Sequence, residues 1–212
     1  SSVAKLANAV LESNKLGKLV FVAPELGKWS KTGGLGVMVD ELTVQLAALG
    51  CDVTVISPYY DCNRKGIQNY LDADGFKHRY TLVTGVEDEE VLVGVHEGRC
   101  NGVRLFFLHN AKYFPVVYPP GDASFSTRVL TVFGKSVLQL LCDIKDIPSM
   151  FITNDWFSAF VPCYARSGAF GDAFADTKFL HICHNLDPAY EGRLYPDNSL
   201  THVHNLPERV LF

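Results

Sequence analysis

The chain has 212 residues, of which 48% are hydrophobic and 20% are charged, and its formal net charge is −4. This composition is typical of one globular α/β domain with a substantial core, and it excludes a disordered chain. The acidic balance, without any basic block, argues against nucleic acid as a partner, and the apolar runs are too short to cross a membrane.

The N-terminus and the cysteines indicate an intracellular protein. Residues 1–16 have no continuous apolar core of the kind that a signal peptide needs, and we expect residues 1–18 to lead in from a longer polypeptide. The six cysteines are scattered without CxxC pairs. Most stand in apolar segments, which predicts reduced core residues rather than disulfides or a zinc site.

The first element is a strand, a glycine-rich loop and a helix. The apolar run 19–23 predicts a buried strand, which Pro24 ends. Three glycines lie in the loop that follows. From Leu35 to Leu49 the apolar residues recur at helical spacing, and Gly50 is placed to end the helix.

This loop has the properties of an anion site. The first amides of a helix lack internal partners, glycines allow a phosphate to come close, and Lys31 adds a positive charge. The loop is not a Walker A motif, because Lys31 precedes Gly33 and Gly34, and its glycine spacing is not that of the dinucleotide fingerprint. The alternative is that the glycines only permit a tight turn and close helix packing.

The remaining elements alternate in the same way. Residues 52–57 predict a second strand ended by Pro58, which makes a right-handed βαβ unit with the first strand. Three β-rich runs joined by hairpins follow after an irregular connection, and then come a proline-rich loop, a long helix, and two more buried strands with a helix between them. The predicted ranges are 78–85, 91–96 and 103–109 for the hairpin strands, 111–123 for the loop, 126–143 for the long helix, 150–153 for the next strand, a helix through 167, and 179–183 for the last strand. From residue 186 onward the sequence predicts no regular element.

This alternation predicts a doubly wound, mainly parallel, Rossmann-like sheet. In such sheets, ligands bind beyond the carboxyl ends of the strands near the topological switch point. Three polar loops follow strands at that edge, namely 25–36, 154–156 and 184–185. We therefore expect these loops to converge on one cleft.

The polar residues in these loops each allow two interpretations. Asp155 either positions a substrate hydroxyl or caps the helix that follows it. His184 either donates a hydrogen bond to a ligand or is a loop histidine satisfied by the backbone. Trp156 is either a stacking platform for a sugar or a core aromatic residue. No spacing matches a zinc site or a Ser/His/Asp constellation.

Three segments together resemble one known family. Pro24-Glu25 followed by Lys31-Thr32-Gly33-Gly34-Leu35-Gly36 resembles the N-terminal signature of bacterial glycogen synthases and plant starch synthases. The segment 154–159, Asn-Asp-Trp-Phe-Ser-Ala, resembles the family's His-Asp-Trp-His-Thr/Ala-Ala. His184-Asn185-Leu186 with Tyr190-Glu191-Gly192 resembles its His-Asn-x-x-Tyr-Gln-Gly, stretched by an insertion. The motifs occur in the family's order and span residues 19–196.

The resemblance implies a retaining glucosyltransferase of the GT-B fold. It would transfer glucose from ADP-glucose or UDP-glucose to the non-reducing end of an α-1,4-glucan, without a metal or another cofactor. Residues 1–212 would form one N-terminal, acceptor-side domain, and the C-terminal nucleotide-binding half would be absent from this chain. We therefore expect the chain alone to fold but to be inactive, because one wall of a cleft neither excludes water nor fixes both reactants.

The resemblance also implies roles for particular residues. The catalytic pair that binds the transferred glucose would be Asp155 and His184. The donor side would be Lys31, Gly33 and Gly34, and the acceptor side would be Glu25, Trp156 and Asn185.

The chain departs from the family's motifs at three places. Asn154 and Phe157 replace two family histidines, and the insertion 187–189 changes the third motif. Phe157 would lose polar reach towards the acceptor. Acceptor preference is therefore less well predicted than donor chemistry.

Two other functional classes remain. A non-catalytic glucan-binding or regulatory domain would keep the fold without needing Lys31, Asp155 and His184 together. An NAD-dependent oxidoreductase is the generic interpretation of the fold, but the fingerprint glycines are missing, and Ser57 and Pro58 stand where an acidic residue is expected. The sequence leaves the choice between the two donors open. The compartment would be the plastid in a photosynthetic eukaryote and the cytoplasm otherwise.

Overall fold

A computed structural model describes residues 17–61, 74–185 and 200–210. The strands are β1 (Leu19–Val22), β2 (Val53–Tyr59), β3 (Lys77–Val86), β4 (Glu89–Cys100), β5 (Val103–His109), β6 (Met150–Asn154) and β7 (Lys178–Ile182). The helices are α1 (Gly27–Ser30), α2 (Gly34–Ala48), α3 (Ala123–Asp143), α4 (Phe160–Ser167) and α5 (Thr201–His204). Two 3₁₀ turns span Trp156–Ser158 and Glu208–Val210.

The strands form one seven-stranded sheet in the order β3-β4-β5-β2-β1-β6-β7. Five neighbouring strands of this sheet, β5, β2, β1, β6 and β7, are parallel to one another. The strands β3 and β4 form an antiparallel hairpin at one edge, and β4 pairs antiparallel with β5. This architecture confirms the predicted mainly parallel sheet. The chain leaves β1 towards β2 on one side and returns to β6 on the other, so the topological switch point lies between β1 and β6.

Each face of the sheet carries its own hydrophobic core. Along β1, Leu19 and Phe21 pack in one core with Val39 of α2. Val20 and Val22 pack in the other core, which contains the inner faces of α3 and α4. A strand that is buried on both faces needs an unbroken apolar run, which is what residues 19–23 supply. The doubly wound arrangement is confirmed.

Local residues set the end of helix α2 and the start of helix α3. The helix α2 ends at Ala48, and Gly50 follows with a φ of 87°, as the sequence predicts. The helix α3 begins three residues earlier than the predicted Ser126. Its start is set by the Asp122 carboxylate, which accepts a hydrogen bond of 2.7 Å from the Phe125 N–H and so caps the first turn.

One expected end of a strand is wrong, and one helix lies where no element is expected. The strand β2 continues through Pro58 to Tyr59, because beyond Ile56 it pairs only with β5. The Ile56 carbonyl accepts from Ala23 of the β1 side, so Pro58, two residues later, faces the same side and removes no donor from the ladder. After residue 186, where no element is expected, the short helix α5 packs with Val203 in the core.

The cysteines are only partly as expected. The five that the structure describes are free thiols; four are half-buried and pack against the edges of the two cores, whereas Cys183 is exposed. Within 17–61, 74–185 and 200–210, no helix is long and apolar enough to cross a membrane. The expectations for residues 1–16, 62–73 and 186–199 lie outside the described residues, and so do the third motif's Tyr190-Glu191-Gly192 and the insertion 187–189.

Candidate functional site

Loops that follow β6 and β7 meet at the carboxyl edge of the sheet, next to the end of β1. The Asn154 side-chain amide donates to the Val22 carbonyl at 3.1 Å, which ties the end of β6 to the end of β1. The Asp155 N–H donates to the Ile182 carbonyl at 2.8 Å, and the His184 N–H donates to Asp155 Oδ1 at 2.6 Å. The residues that the motifs singled out in these two loops are therefore brought together at the switch point.

Asp155 has a strained backbone that its carboxylate helps to hold. Its φ and ψ are 53° and 178°, a region that residues with a Cβ rarely adopt. The side chain makes no capping hydrogen bond to the 3₁₀ turn that follows, so the helix-cap interpretation is wrong. It instead accepts the His184 N–H, and Asp155 is only 5% exposed. Strain of this kind clusters at functional sites.

The ring of His184 is oriented by Asn154. Its Nε2 lies 2.9 Å from Asn154 Oδ1. The Asn154 amide nitrogen donates to backbone carbonyls, so its oxygen faces the ring and Nε2 of His184 carries the hydrogen. The Nδ1 atom accepts no hydrogen bond within the described part of the chain. The departure from the family's motif at Asn154 therefore has a role, because this buried side chain sets the tautomer of His184.

A second imidazole, which the sequence analysis did not single out, lies beside this pair. His181 Nδ1 is 2.9 Å from Thr153 Oγ1, its partner in register across β6 and β7. Partial desolvation lowers the pKa of His181, Asp155 opposes this effect, and the neighbouring His184 lowers the pKa further. His181 therefore stays neutral at neutral pH. Only the pairing of the two strands could have indicated this neighbour.

The carboxylate of Glu25 points inward and holds the glycine-rich loop. Glu25 is 3% exposed, and its Oε2 accepts the backbone N–H groups of Thr32 at 2.6 Å and Gly33 at 2.8 Å. Its Oε1 accepts the Tyr118 hydroxyl at 2.8 Å. The approach is close because Gly36 has no side chain: a Cβ there would lie 3.3 Å from the Glu25 Cβ. Both carboxylate oxygens thus bind the protein itself.

Lys31, Gly33 and Gly34, which the resemblance assigns to the donor, border open space. A Cβ added at Gly33 or Gly34 would meet no atom within 4 Å, and Lys31 is exposed. No ion pair or hydrogen bond joins the Lys31 ammonium to another of the described residues. The helix α2, which opens at Gly34, has no side-chain cap, so its first amides lack partners. Because the Gly33 N–H donates to Glu25, the free donors are those of the first turn of α2.

The aromatic residues of the site divide between the partly exposed surface and the core. Trp156 is half-buried and stacks on Tyr118, with ring centroids 6.1 Å apart and planes at 27°. Phe157 is 1% exposed and packs against Phe133 in the core, which agrees with the expected loss of polar reach at this position. Asn185 is exposed at the end of the described segment.

Tyr118 was not predicted as a site residue. It lies in the proline-rich loop between β5 and α3, has a φ of 54°, and contacts both Glu25 and Trp156. Its position after the carboxyl end of β5 was the available signal. Among the residues that the structure describes, no group of three or more His, Cys, Asp or Glu side chains is arranged to hold a metal ion.

Comparisons with known proteins agree with the three motifs. The family described as "Starch synthase catalytic domain" matches residues 18–211. The chain is 32% identical over 192 residues to glycogen synthase from Finegoldia magna, and this match covers 86% of the chain and 37% of that protein. It is 30% identical over 184 residues to glycogen synthase 2 from Geobacter sulfurreducens, covering 84% of the chain and 36% of that protein.

The fold is also that of a solved relative. The catalytic domain of starch synthase IV from Arabidopsis thaliana, bound to ADP and acarbose, superposes with a TM-score of 0.74 at 22% identity. The match covers 92% of this chain and 38% of that one. The chain thus spans somewhat more than a third of the length of the relatives it matches. Because the family match extends over nearly all described residues, the chain belongs to the family of starch synthase catalytic domains, together with the bacterial glycogen synthases.

Proposed function

We propose that this chain is the N-terminal, acceptor-side domain of a retaining glucosyltransferase that extends an α-1,4-glucan at its non-reducing end. The glucosyl donor is a nucleoside diphosphate glucose. The observation that carries the proposal is the joined cluster of Asp155, His184 and Asn154 at the switch point, with both catalytic candidates in defined orientations.

The donor diphosphate lies against Lys31 and the first turn of α2. An anion at an uncapped helix N-terminus gains about 0.3–1 kcal/mol from the dipole when exposed and up to about 2 kcal/mol when partly buried. Lys31 adds a full charge that no described side chain neutralises. The open space at Gly33 and Gly34 admits the phosphates and the glucosyl group, with the hydrogen bonds coming from the amides that follow Gly33.

Asp155 and His184 bind the transferred glucose. The Asp155 Oδ2 accepts no hydrogen bond from the described residues, so it is available to a sugar hydroxyl. His184 presents Nδ1, because Nε2 is held by Asn154. Groups whose orientation is set in advance lose little entropy when the transition state forms, which is the main contribution that a domain of this kind makes to catalysis.

The acceptor glucan binds on the side of Trp156, with Asn185 beside it. The half-buried indole, stacked on Tyr118, offers an apolar face to a sugar ring, whereas Asn185 offers amide groups to its hydroxyls. Glu25 supports this side indirectly, because its carboxylate is already used by the loop and by Tyr118.

ADP-glucose is the donor that we propose first, with UDP-glucose as the alternative. The support is that the starch synthase IV of the same fold was solved with ADP. We also propose that a C-terminal half completes the nucleotide site, because the relatives are much longer than this chain. The free thiols at the five described cysteines are consistent with a reducing compartment, the cytoplasm or a plastid.

The test is incorporation of labelled glucose into glycogen by the full-length protein, with ADP-glucose and UDP-glucose offered separately. We expect incorporation from one donor, and a decrease of about 10²-fold in kcat for His184→Ala, because the Nδ1 acceptor that positions the transferred glucose is lost. His202→Ala, which alters an exposed histidine that pairs with Glu87 and lies outside the three motifs, is the matched control and should stay within twofold.

Two results would contradict the proposal. If neither donor gives incorporation while the folded protein still binds glycogen, the chain is a glucan-binding module instead. If the 212 residues alone elongate glycogen, the proposed need for a second half is wrong.

A further inference from the structure

Glu25 uses one oxygen of its carboxylate to shape the donor-side loop. Oε2 accepts the N–H groups of both Thr32 and Gly33, the two residues that precede α2. Each bond is assisted by the negative charge, and the carboxylate is 3% exposed, so water does not replace a lost donor. The direction in which α2 presents its first amides therefore depends on where this carboxylate stands.

The other oxygen of the same carboxylate reaches the acceptor side. Oε1 accepts the hydroxyl of Tyr118, which is 93 residues away in the chain. The ring of Tyr118 stacks on Trp156, the platform proposed for the glucan. The hydroxyl of Tyr118 thus binds Glu25, which holds the glycine-rich loop, while the ring of Tyr118 stacks on Trp156. No other described side chain makes both contacts.

We propose that Tyr118 and Glu25 couple acceptor binding to donor binding, and that Glu25 is a positioning residue rather than an acceptor contact. A glucan packed on Trp156 restrains the Tyr118 ring, which keeps its hydroxyl on Glu25 Oε1. The restrained carboxylate then holds the Thr32–Gly33 amides and leaves the first turn of α2 open to the diphosphate. This inference rests on the proposed function, because it takes the two ligands from it.

Coupling follows from the burial of the carboxylate. If Tyr118 moves away, a buried charge loses one of its three donors, and a charged group left short of hydrogen bonds inside a protein is strongly destabilised. The carboxylate is then no longer restrained at Oε1 and is freer to rotate, so Oε2 holds the Thr32 and Gly33 amides less firmly. Since coupling between two binding sites is reciprocal, bound donor phosphate also favours the arrangement of Tyr118 that suits the acceptor.

The decisive variant is Tyr118→Phe, which keeps the ring that stacks on Trp156 and removes only the hydroxyl. The dissociation constant of ADP is measured by calorimetry on the full-length protein, with and without saturating maltoheptaose. We expect maltoheptaose to tighten ADP binding about tenfold in the wild type, within the usual range of coupling between sites. In Tyr118→Phe the ratio should fall below twofold, while each ligand alone still binds.

Tyr113→Phe is the matched control. Tyr113 lies in the same loop, and its hydroxyl donates at 3.2 Å to a different carboxylate, that of Glu89. This variant should keep the tenfold ratio. A merely structural contribution of Tyr118 would weaken both ligands alike and leave the ratio unchanged, so such a result overturns the inference. An ADP affinity that does not respond to maltoheptaose in the wild type overturns it as well.

Hydrogen–deuterium exchange separates this inference from the proposed function. In Tyr118→Phe we expect the peptide that contains the Thr32 and Gly33 amides to exchange about tenfold faster than in the wild type, with no ligand present. If the wild type transfers no glucose from any nucleotide sugar, the proposed function fails. If the exchange of this peptide is the same in Tyr118→Phe as in the wild type, the link through Glu25 is refuted, whatever the enzyme activity.

Discussion

The strained backbone at Asp155 leads to an unusual order of stability among its variants. At φ 53° and ψ 178°, a side chain with a Cβ raises the energy by about 1–3 kcal/mol. The carboxylate compensates with a charge-assisted bond of 2.6 Å to the His184 N–H, for which about 1.5–3 kcal/mol is typical. Replacement by alanine loses the bond and keeps the strain. Replacement by glycine loses the bond and relieves the strain.

We therefore expect Asp155→Gly to be more stable than Asp155→Ala. The relief of strain exceeds the entropic disadvantage of glycine, about 0.5–1 kcal/mol, so the net difference is about 0.5–2 kcal/mol. Relative to the wild type, the alanine variant should lose about 1.5–3 kcal/mol of the free energy of unfolding. Urea unfolding followed by tryptophan fluorescence measures both values.

The control is Ala159→Gly, four residues further along the chain at an ordinary φ of −62°. Here glycine should decrease the free energy of unfolding by about 0.5–1 kcal/mol, the usual order for a helical backbone. If alanine at position 155 is as stable as glycine or more stable, the backbone strain does not exist in solution, and the functional argument drawn from it is refuted.

Two further predictions concern the loop and the C-terminal segment. Gly36→Ala places a Cβ 3.2 Å from the Lys31 Cα and 3.3 Å from the Glu25 Cβ, so we expect a loss of about 1–3 kcal/mol by thermal denaturation, whereas Gly34→Ala meets nothing within 4 Å and should be tolerated. Burial lowers the pKa of His204 below 6.5, so the folded state binds its proton less readily than the unfolded one. The contribution of His204 to the free energy of unfolding should be fully present above pH 6.5 and should be lost as the pH falls through the lower pKa of the folded state. Urea titrations at several pH values should show a smaller loss for His204→Gln than for the wild type.

Much of the fold could be predicted because it follows from local patterns. The apolar runs at 19–23 and 150–153 need burial on both faces, and only a parallel sheet covered by helices provides it. Gly50 ends α2 where the helical periodicity stops. The errors lie at ends of elements that distant neighbours decide. Pro58 does not end β2, because β1 has stopped pairing by that point and no ladder bond needs its N–H.

The sequence predicted where the site residues lie in the fold better than it predicted which hydrogen bonds their side chains make. The motifs put Asp155 and His184 directly after strands that end at the same edge, so their proximity follows from the topology. The role of Asn154 as the partner of His184 Nε2 joins the end of β6 to a loop 30 residues away in the chain, and no local pattern encodes it. The inward position of Phe157 likewise depends on how the 3₁₀ turn lies over α3.

The sequence by itself determined the doubly wound sheet, the glycine-rich loop that precedes α2, and the family. These depend on periodicity, on residues that lack a Cβ, and on motif order, which are properties of short stretches. Only the tertiary structure decided that Glu25 faces inward and that Tyr118 joins it to Trp156. The physical reason is that a buried carboxylate must be satisfied by whichever donors the fold brings to it. One of these donors comes from a loop 93 residues away in the chain.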